Sequence, residues 1–363
     1  MKKLGFGFMR LPMVGETVDI EQTKAMVDRF LEAGFSYFDT AHGYIGEKSE
    51  PTLKECLVDR YPRDRYILTN KLSGGYIHKP EDVRPFFERQ LKICGVEYFD
   101  YYLLHAVGSG NLEKYESCQA FEQLSQLKGE GKIRHMGMSF HDKAEVLDRI
   151  LTAHPEIEVV QIQFNYVDYD DPKVESFKCY QVCEKHDKLV LVMEPVKGGN
   201  LVDIPDEGKA VFDELGGGSC ASYAIRFAAS FPKVFMVLSG MSTLTQVEDN
   251  VSFMEDFKPL SEKEFEAVEK VREIVKKQDS IACTGCAYCV EGCPKQIPIP
   301  GIFALCNTKK RYRNWNGKDW YEMRTGGKGK ASDCIGCGKC EHVCPQHLPI
   351  REELKKAAEV FER

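Results

Sequence analysis

Eight of the fifteen cysteines in this 363-residue chain fall in two runs of one spacing. Cys283, Cys286, Cys289 and Cys293 precede Pro294, and Cys334, Cys337, Cys340 and Cys344 precede Pro345. Each run reads C-x2-C-x2-C-x3-C-P, a spacing used in iron-sulfur ligation. Three thiolates on one tight turn can hold three corners of a cubane cluster, and the fourth corner must come from a cysteine distant in sequence. A disulfide framework would need an oxidising compartment, yet the chain opens MKKLGFGFMR with no apolar signal core behind its lysines. Structural zinc also favours C-x-x-C pairs, but eight cysteines in two such runs exceed what zinc ribbons use. The other seven, Cys56, Cys94, Cys118, Cys179, Cys183, Cys220 and Cys306, show no ligand spacing and read as reduced thiols.

The paired runs resemble those of the bacterial two-cluster ferredoxins. That resemblance implies two 4Fe-4S clusters with crossed ligands: Cys283, Cys286 and Cys289 with Cys344, and Cys334, Cys337 and Cys340 with Cys293. Formal net charge is -7, and no uninterrupted apolar run approaches the roughly 18 residues of a membrane-spanning helix. Cytoplasm is the expected compartment, and exposed clusters favour an anoxic cell.

The first 280 residues alternate short apolar runs with segments of helical spacing. Strands are expected at Tyr37 to Asp39, Tyr66 to Thr69, Phe99 to Leu104, Ile133 to Met138, Val159 to Phe164, Leu189 to Met193 and Val234 to Leu238. Helices are expected at Ala25 to Ala33, Val83 to Cys94, Tyr115 to Leu127, Lys143 to Leu151, Lys173 to Lys185, Ser222 to Ser230 and Gln246 to Phe253. Such repetition argues for an α/β parallel sheet covered by helices, and at this length a (β/α)8 barrel fits better than an open sheet. An eighth strand is expected near Gly218 to Ala221. A last helix, Ser261 to Lys277, opens with Ser-x-x-Glu and puts the boundary near 280. The expected domains are therefore a barrel over 1–279 and a ferredoxin-like domain over 280–363 with a basic, aromatic insert at 294–333.

Active sites of such barrels lie at the C-terminal ends of the strands. Asp39 and nearby Tyr44, Lys71 closing YILTNK, and His105 closing FDYYLLH fall there. Here the chain resembles the aldo-keto reductase family, through GFSYFDTAHGY, TNK, LLH, GKIRHMGMSF and QIQFN, from residue 4 to about residue 260. The resemblance implies a (β/α)8 barrel, a nicotinamide cofactor and a catalytic tetrad of Asp39, Tyr44, Lys71 and His105 acting on a small carbonyl or alcohol. The chemistry agrees: a lysine beside a tyrosine favours its phenolate, an aspartate keeps that lysine charged, and a neutral histidine can hold the substrate oxygen. By the same resemblance Ser139 and Gln161 hold the nicotinamide carboxamide. Where the family usually has asparagine after that serine, Phe140 and His141 follow, and Met193 stands where many members have a stacking tyrosine. Lys197, Gly198 and Gly199 are candidates for the pyrophosphate. The loop SGMSTLTQVEDN keeps the family's Q-x-x-x-N ending through Gln246 and Asn250, with Ser242 near them. It lacks the lysine or arginine that commonly pairs an adenosine 2'-phosphate, which favours NADH over NADPH.

Hydride transfer moves two electrons and a 4Fe-4S cluster ordinarily one, so exchange between the halves would call for a flavin. No G-x-G-x-x-G follows a strand, so a flavin has no motif to support it. Residues 295–330 carry nine basic side chains against Asp319 and Glu322, with Trp315, Trp320, Tyr312 and Tyr321 among them. A nucleic-acid interface lacks a supporting signature. Docking of an acidic electron carrier, a ferredoxin or flavodoxin, and a shielding insert stand level. Two further functions stay open beside the carbonyl reductase: a carrier-linked reductase using the clusters and an unseen flavin, and an electron-transfer or redox-sensing protein with a non-catalytic barrel.

Overall fold

The computed structural model describes every residue except Met1, Lys173, 278–280, Ala282, Thr284, 312–314 and Pro345, and Arg311 by its backbone alone. The expected boundary at 279/280, Pro345 of the second cysteine run, and the Tyr312, Arg313 and Arg311 side chains of the insert lie outside that description. Two compact units emerge, Met1–Gly198 with Leu215–Val268, and Gly199–Glu214 with Glu269–Arg363. No described helix is long and apolar enough to cross a membrane.

The first unit is a closed barrel of eight parallel strands. In chain order these are β1 (Leu4–Gly7), β2 (Tyr37–Asp39), β3 (Ile67–Ser73), β4 (Phe99–Val107), β5 (Ile133–Phe140), β6 (Val159–Gln163), β7 (Leu189–Met193) and β8 (Val234–Ser239). Strand β1 closes the ring, pairing Leu4 with Val237 on one side and Gly5 with Tyr37 on the other. The eighth strand is therefore Leu4–Gly7 and not the segment near Gly218, where Ser219 caps a helix over Cys220–Ala229 by accepting from the Ser222 N–H. Two glycines in four residues hide β1 from a hydrophobic pattern, and those glycines have a packing reason. A Cβ on Gly5 would stand 2.8 Å from the Leu238 side chain and 3.0 Å from Tyr37.

The expected helices form with shifted ends, and one splits. The stretch from Tyr115 to Leu127 breaks into Leu112–Ser117 and Ala120–Gly129, with Gln119 left-handed at φ 50° between them. The helix Glu262–Lys277 starts as its Ser-x-x-Glu predicts: the Ser261 N–H donates to Glu264 Oε2 at 2.8 Å, and the Glu264 N–H returns to Ser261 Oγ at 3.4 Å. Inside the barrel, Tyr37, Leu103, Val159, Leu191 and Met236 pack in one fully buried layer with Leu238.

The second unit holds both cysteine runs. Its core is Ile297, Ile299, Ile302, Phe303, Tyr321, Ile350, Leu354 and Phe361, drawn largely from helices Ile299–Arg311 and Ile350–Phe361. The insert therefore supplies much of this core. Of its two tryptophans, Trp320 is 55% exposed while Trp315 packs on the core.

Gly137 offers the sharpest check on the barrel packing, because a Cβ there would lie 2.3 Å from the Val159 carbonyl oxygen and 2.4 Å from its Cγ1. Gly137→Ala should cost about 1–3 kcal/mol, read as a lower urea midpoint at unchanged slope. A midpoint equal to the wild type would show that the β5–β6 contact is looser than this.

Candidate active site

The four rim residues come together on three consecutive barrel strands and the loop after β2. In-register pairing of β2 with β3 and of β3 with β4 aligns Asp39 with Thr69 and Ser73 with His105. Lys71 is wholly buried. Its ammonium donates to Asp39 Oδ1 at 2.6 Å and to the Thr40 carbonyl at 2.8 Å. Nζ also lies 4.9 Å from the centroid of the Tyr44 ring. The Tyr44 and His105 rings meet edge to face at 5.7 Å. His105 Nδ1 is 2.7 Å from Ser73 Oγ. Tyr115 ties these strand ends together: its hydroxyl donates to the His105 carbonyl at 2.6 Å and accepts from the Gly74 N–H at 2.9 Å.

The electrostatics follow from burial. Desolvation works against the Lys71 charge, but the Asp39 carboxylate, Tyr44 and their hydrogen bonds outweigh it, and its pKa lies above the ordinary lysine value. Burial likewise raises Asp39, with Lys71 pulling it back. Tyr44 departs from the expectation that its lysine favours the phenolate. Burial raises its pKa and the Lys71 charge offsets that only in part, so the resting group is a phenol. His105 is lowered to about 3 by burial, then by the Lys71 and His141 charges, and is neutral. Burial and Lys71 lower His141 as well.

Ser139 and Gln161 sit side by side in register at the β5 and β6 ends, both buried. Ser139 Oγ accepts from the Ala106 N–H at 2.7 Å, which leaves its own proton to donate. Gln161 Oε1 is buried with no hydrogen-bond partner among the described residues. A donor beside an unsatisfied acceptor suits a carboxamide, whose carbonyl accepts and whose NH2 donates.

The residues expected at the phosphate end are placed less as anticipated. Lys197 is committed to Asp168, Nζ to Oδ1 at 2.5 Å, so its charge is met within the protein. Asn250 is buried and donates to Ser239 Oγ at 2.7 Å, holding the end of β8. Gln246 Oε1 accepts from the Ser242 N–H at 2.7 Å. Gly198 and Gly199 are left-handed, φ 65° and 95°, as a glycine pair permits. Arg10 was missed. Its stem covers Gly240 and its guanidinium reaches Gly198, each within 3.1 Å of where a Cβ would stand. The Arg10 carbonyl accepts from Ser242 Oγ at 2.7 Å. The chain MRLP after β1 carried no periodic signal, and the approach of residues 10, 198 and 240 is visible only in the fold.

In the second unit two cavities gather the cysteines into the crossed sets. One is lined by Cys283, Cys286, Cys289 and Cys344, and the other by Cys293, Cys334, Cys337 and Cys340. Isoleucines, leucines and Phe303 share their walls with Lys295, Lys339 and Gln346. Four thiols per set match the four corners of a cubane cluster. Cys286 and Cys337 are exposed, with Tyr288 and Ile335 exposed beside them.

Comparison with known proteins agrees with both halves. Residues 3–273 match the aldo/keto reductase family, and residues 282–348 match a 4Fe-4S dicluster domain. An uncharacterized oxidoreductase of Schizosaccharomyces pombe is 28% identical over 69% of this chain and 81% of its own length. L-galactose dehydrogenase of Arabidopsis thaliana is 26% identical over 75% and 91%. Among solved structures, an aldo-keto reductase from Klebsiella pneumoniae in complex with NADPH superposes with a TM-score of 0.61 at 20% identity, covering 74% of this chain and 90% of that one. Coverage of this size takes in the barrel and shows its fold. The chain thus belongs to the aldo/keto reductase family of oxidoreductases, with a 4Fe-4S dicluster domain following the barrel.

Proposed function

We propose that the barrel interconverts a carbonyl and an alcohol with NADH or NADPH, and that Tyr44 exchanges the proton. The convergence of Lys71, Asp39, Tyr44 and His105 at one rim carries this reading. The unsatisfied Gln161 oxygen beside Ser139 supports a nicotinamide there, and the Klebsiella relative is described with NADPH. A bound nicotinamide supplies the hydride. The protein does the rest. Tyr44, kept protonated by burial, gives its proton to the substrate oxygen as negative charge develops, and the Lys71 ammonium steadies the phenolate left behind. Asp39 keeps Lys71 charged. Neutral His105, accepting from Ser73 at Nδ1, directs its Nε2–H to the same oxygen and holds it. Ser139 and Gln161 orient the carboxamide. Lys197 is engaged with Asp168, so Arg10 with Gly198 is the better phosphate seat. The Arg10 main chain also meets the loop after β8, its carbonyl accepting from Ser242 Oγ.

In the second unit the crossed cysteine sets would ligate the clusters, one by Cys283, Cys286, Cys289 and Cys344 and the other by Cys293, Cys334, Cys337 and Cys340. The clusters supply one-electron steps. Exposure of Cys286 and Cys337 beside Tyr288 and Ile335 favours electron exchange with a carrier docking from solvent. The lysines and arginines of 294–333 suit an acidic one, and a reducing cytoplasm suits the thiols.

Tyr44→Phe should lower carbonyl turnover about a hundredfold or more while the visible cluster absorbance stays unchanged. In the wild type the pH dependence has a defined sign. His105 titrates near 3 and Tyr44 above its ordinary value, so carbonyl reduction should be flat from about pH 5 to about pH 9, and alcohol oxidation should rise with pH as Tyr44 loses its proton. Full activity in Tyr44→Phe, or a limb near pH 6.5, would remove these roles. Cys344→Ala should roughly halve the iron per chain and abolish the signal of one cluster only; a protein that keeps both clusters would disprove the crossed pairing. Electron transfer from an acidic carrier should slow severalfold as salt rises from about 0.05 to 0.5 M, and a salt-independent rate would exclude the docking face.

A further inference from the structure

The turn that follows Tyr44 is strained. Ile45, Gly46 and Glu47 have φ of 53°, 60° and 67°, three successive residues in the left-handed region. A β-branched side chain there is an outlier, and such strain persists only where the surroundings over-determine it. His42, two residues before Tyr44, supplies a hold on both sides. It is 1% exposed, and its Nδ1 lies 2.6 Å from Oε2 of the wholly buried Glu50. Its Nε2 is buried without a hydrogen-bond partner among the described residues and lies 3.7 Å from Glu47 Oε2, beyond a hydrogen bond and within ion-pair reach. The other Glu50 oxygen accepts from Asn70 Nδ2 and Gln90 Nε2, each at 2.8 Å. Among the described residues no lysine or arginine pairs with Glu50, so His42 is its only available counter-charge. Ionised carboxylates only accept, and a ring flanked by two of them is satisfied when both nitrogens carry protons.

We propose that His42 is an imidazolium clamped between Glu50 and Glu47, and that it is a positioning residue for the reaction. The clamp ties the strained turn to Glu50. Glu50 in turn holds Asn70, whose Oδ1 accepts from the Lys71 N–H at 2.8 Å, and Gln90, whose Nε2 donates to the Lys71 carbonyl at 3.1 Å. The loop that aims Tyr44 and the strand that carries Lys71 thereby share one buried anchor. Glu47 is fixed from its other side by the Tyr76 hydroxyl, 3.0 Å from Oε1, with Arg89 at 4.0 Å. The role acts through Tyr44 and rests on the assignment of Tyr44 as the proton donor.

Nitrogen-edited NMR of the His42 ring in the cluster-loaded protein at neutral pH, with the kinetics of Glu47→Gln, His42→Gln and the double variant, tests the clamp. The ring should be doubly protonated. Glu47 is 47% exposed, so Glu47→Gln should fold with an unchanged Tm and cluster spectrum. Its kcat should fall about tenfold to a hundredfold with KM within about twofold, and the double variant should be no slower than the worse single one. A singly protonated ring with the proton on Glu50, or an unchanged kcat in Glu47→Gln, would overturn the proposal. An active Tyr44→Phe would instead fell the role of Tyr44 and leave the charge on His42 as measured, so the two failures are separable.

Discussion

Lys71 is wholly buried, and an ammonium at such depth stays charged only with an anion at contact distance. The rim is arranged around that demand. Asp39 meets it at 2.6 Å and the Thr40 carbonyl at 2.8 Å, so the last residue of one strand and the first of the following loop are both fixed on a side chain of the next strand. Breaking a buried pair by removing one partner costs on the order of 3–5 kcal/mol, because the remaining charge is stranded. The buried ammonium therefore locks β2 to β3 at their C-terminal ends.

Around that single ion pair, burial pushes the other titratable groups the opposite way. Tyr44 is raised and His105 is lowered, so both are neutral. For the proposed reaction, a neutral Tyr44 and a neutral His105 flanking one cation would let the pocket receive an uncharged carbonyl without desolvating a second ion. In that proposed reaction negative charge would appear only as it proceeds, which is where a fixed cation is worth most.

Seven barrel strands were legible because strands of a parallel sheet, covered on both faces, read as unbroken apolar runs such as Leu189 to Met193. The eighth was not, since LGFG spends half its length on residues whose value is the absence of a side chain. The rim tetrad was legible for two reasons: its members close strands or follow one, and they sit in segments that resemble a known family. The phosphate end resisted, because the partners are far apart in sequence: Lys197 meets Asp168 across 29 positions, and Arg10 meets Gly198 and Gly240 through barrel closure. Local spacing carries no information on such pairs. The cysteine runs lie at the other extreme, since their spacing is itself the ligand geometry.

Barrel closure also has a consequence for how the chain is made. Strand β1 needs β8 as its neighbour, with the Val237 N–H donating to the Lys3 carbonyl at 2.8 Å, yet β8 begins only at Val234. Until β8 has been made, β1 and β7 each lack one barrel neighbour. Open edges of this kind invite pairing with other chains, and contacts of such long range are slow to form. The sparse side chains of LGFG then acquire a second meaning: a short edge half made of glycine is a poor template for aggregation while the nascent protein waits for its last strand.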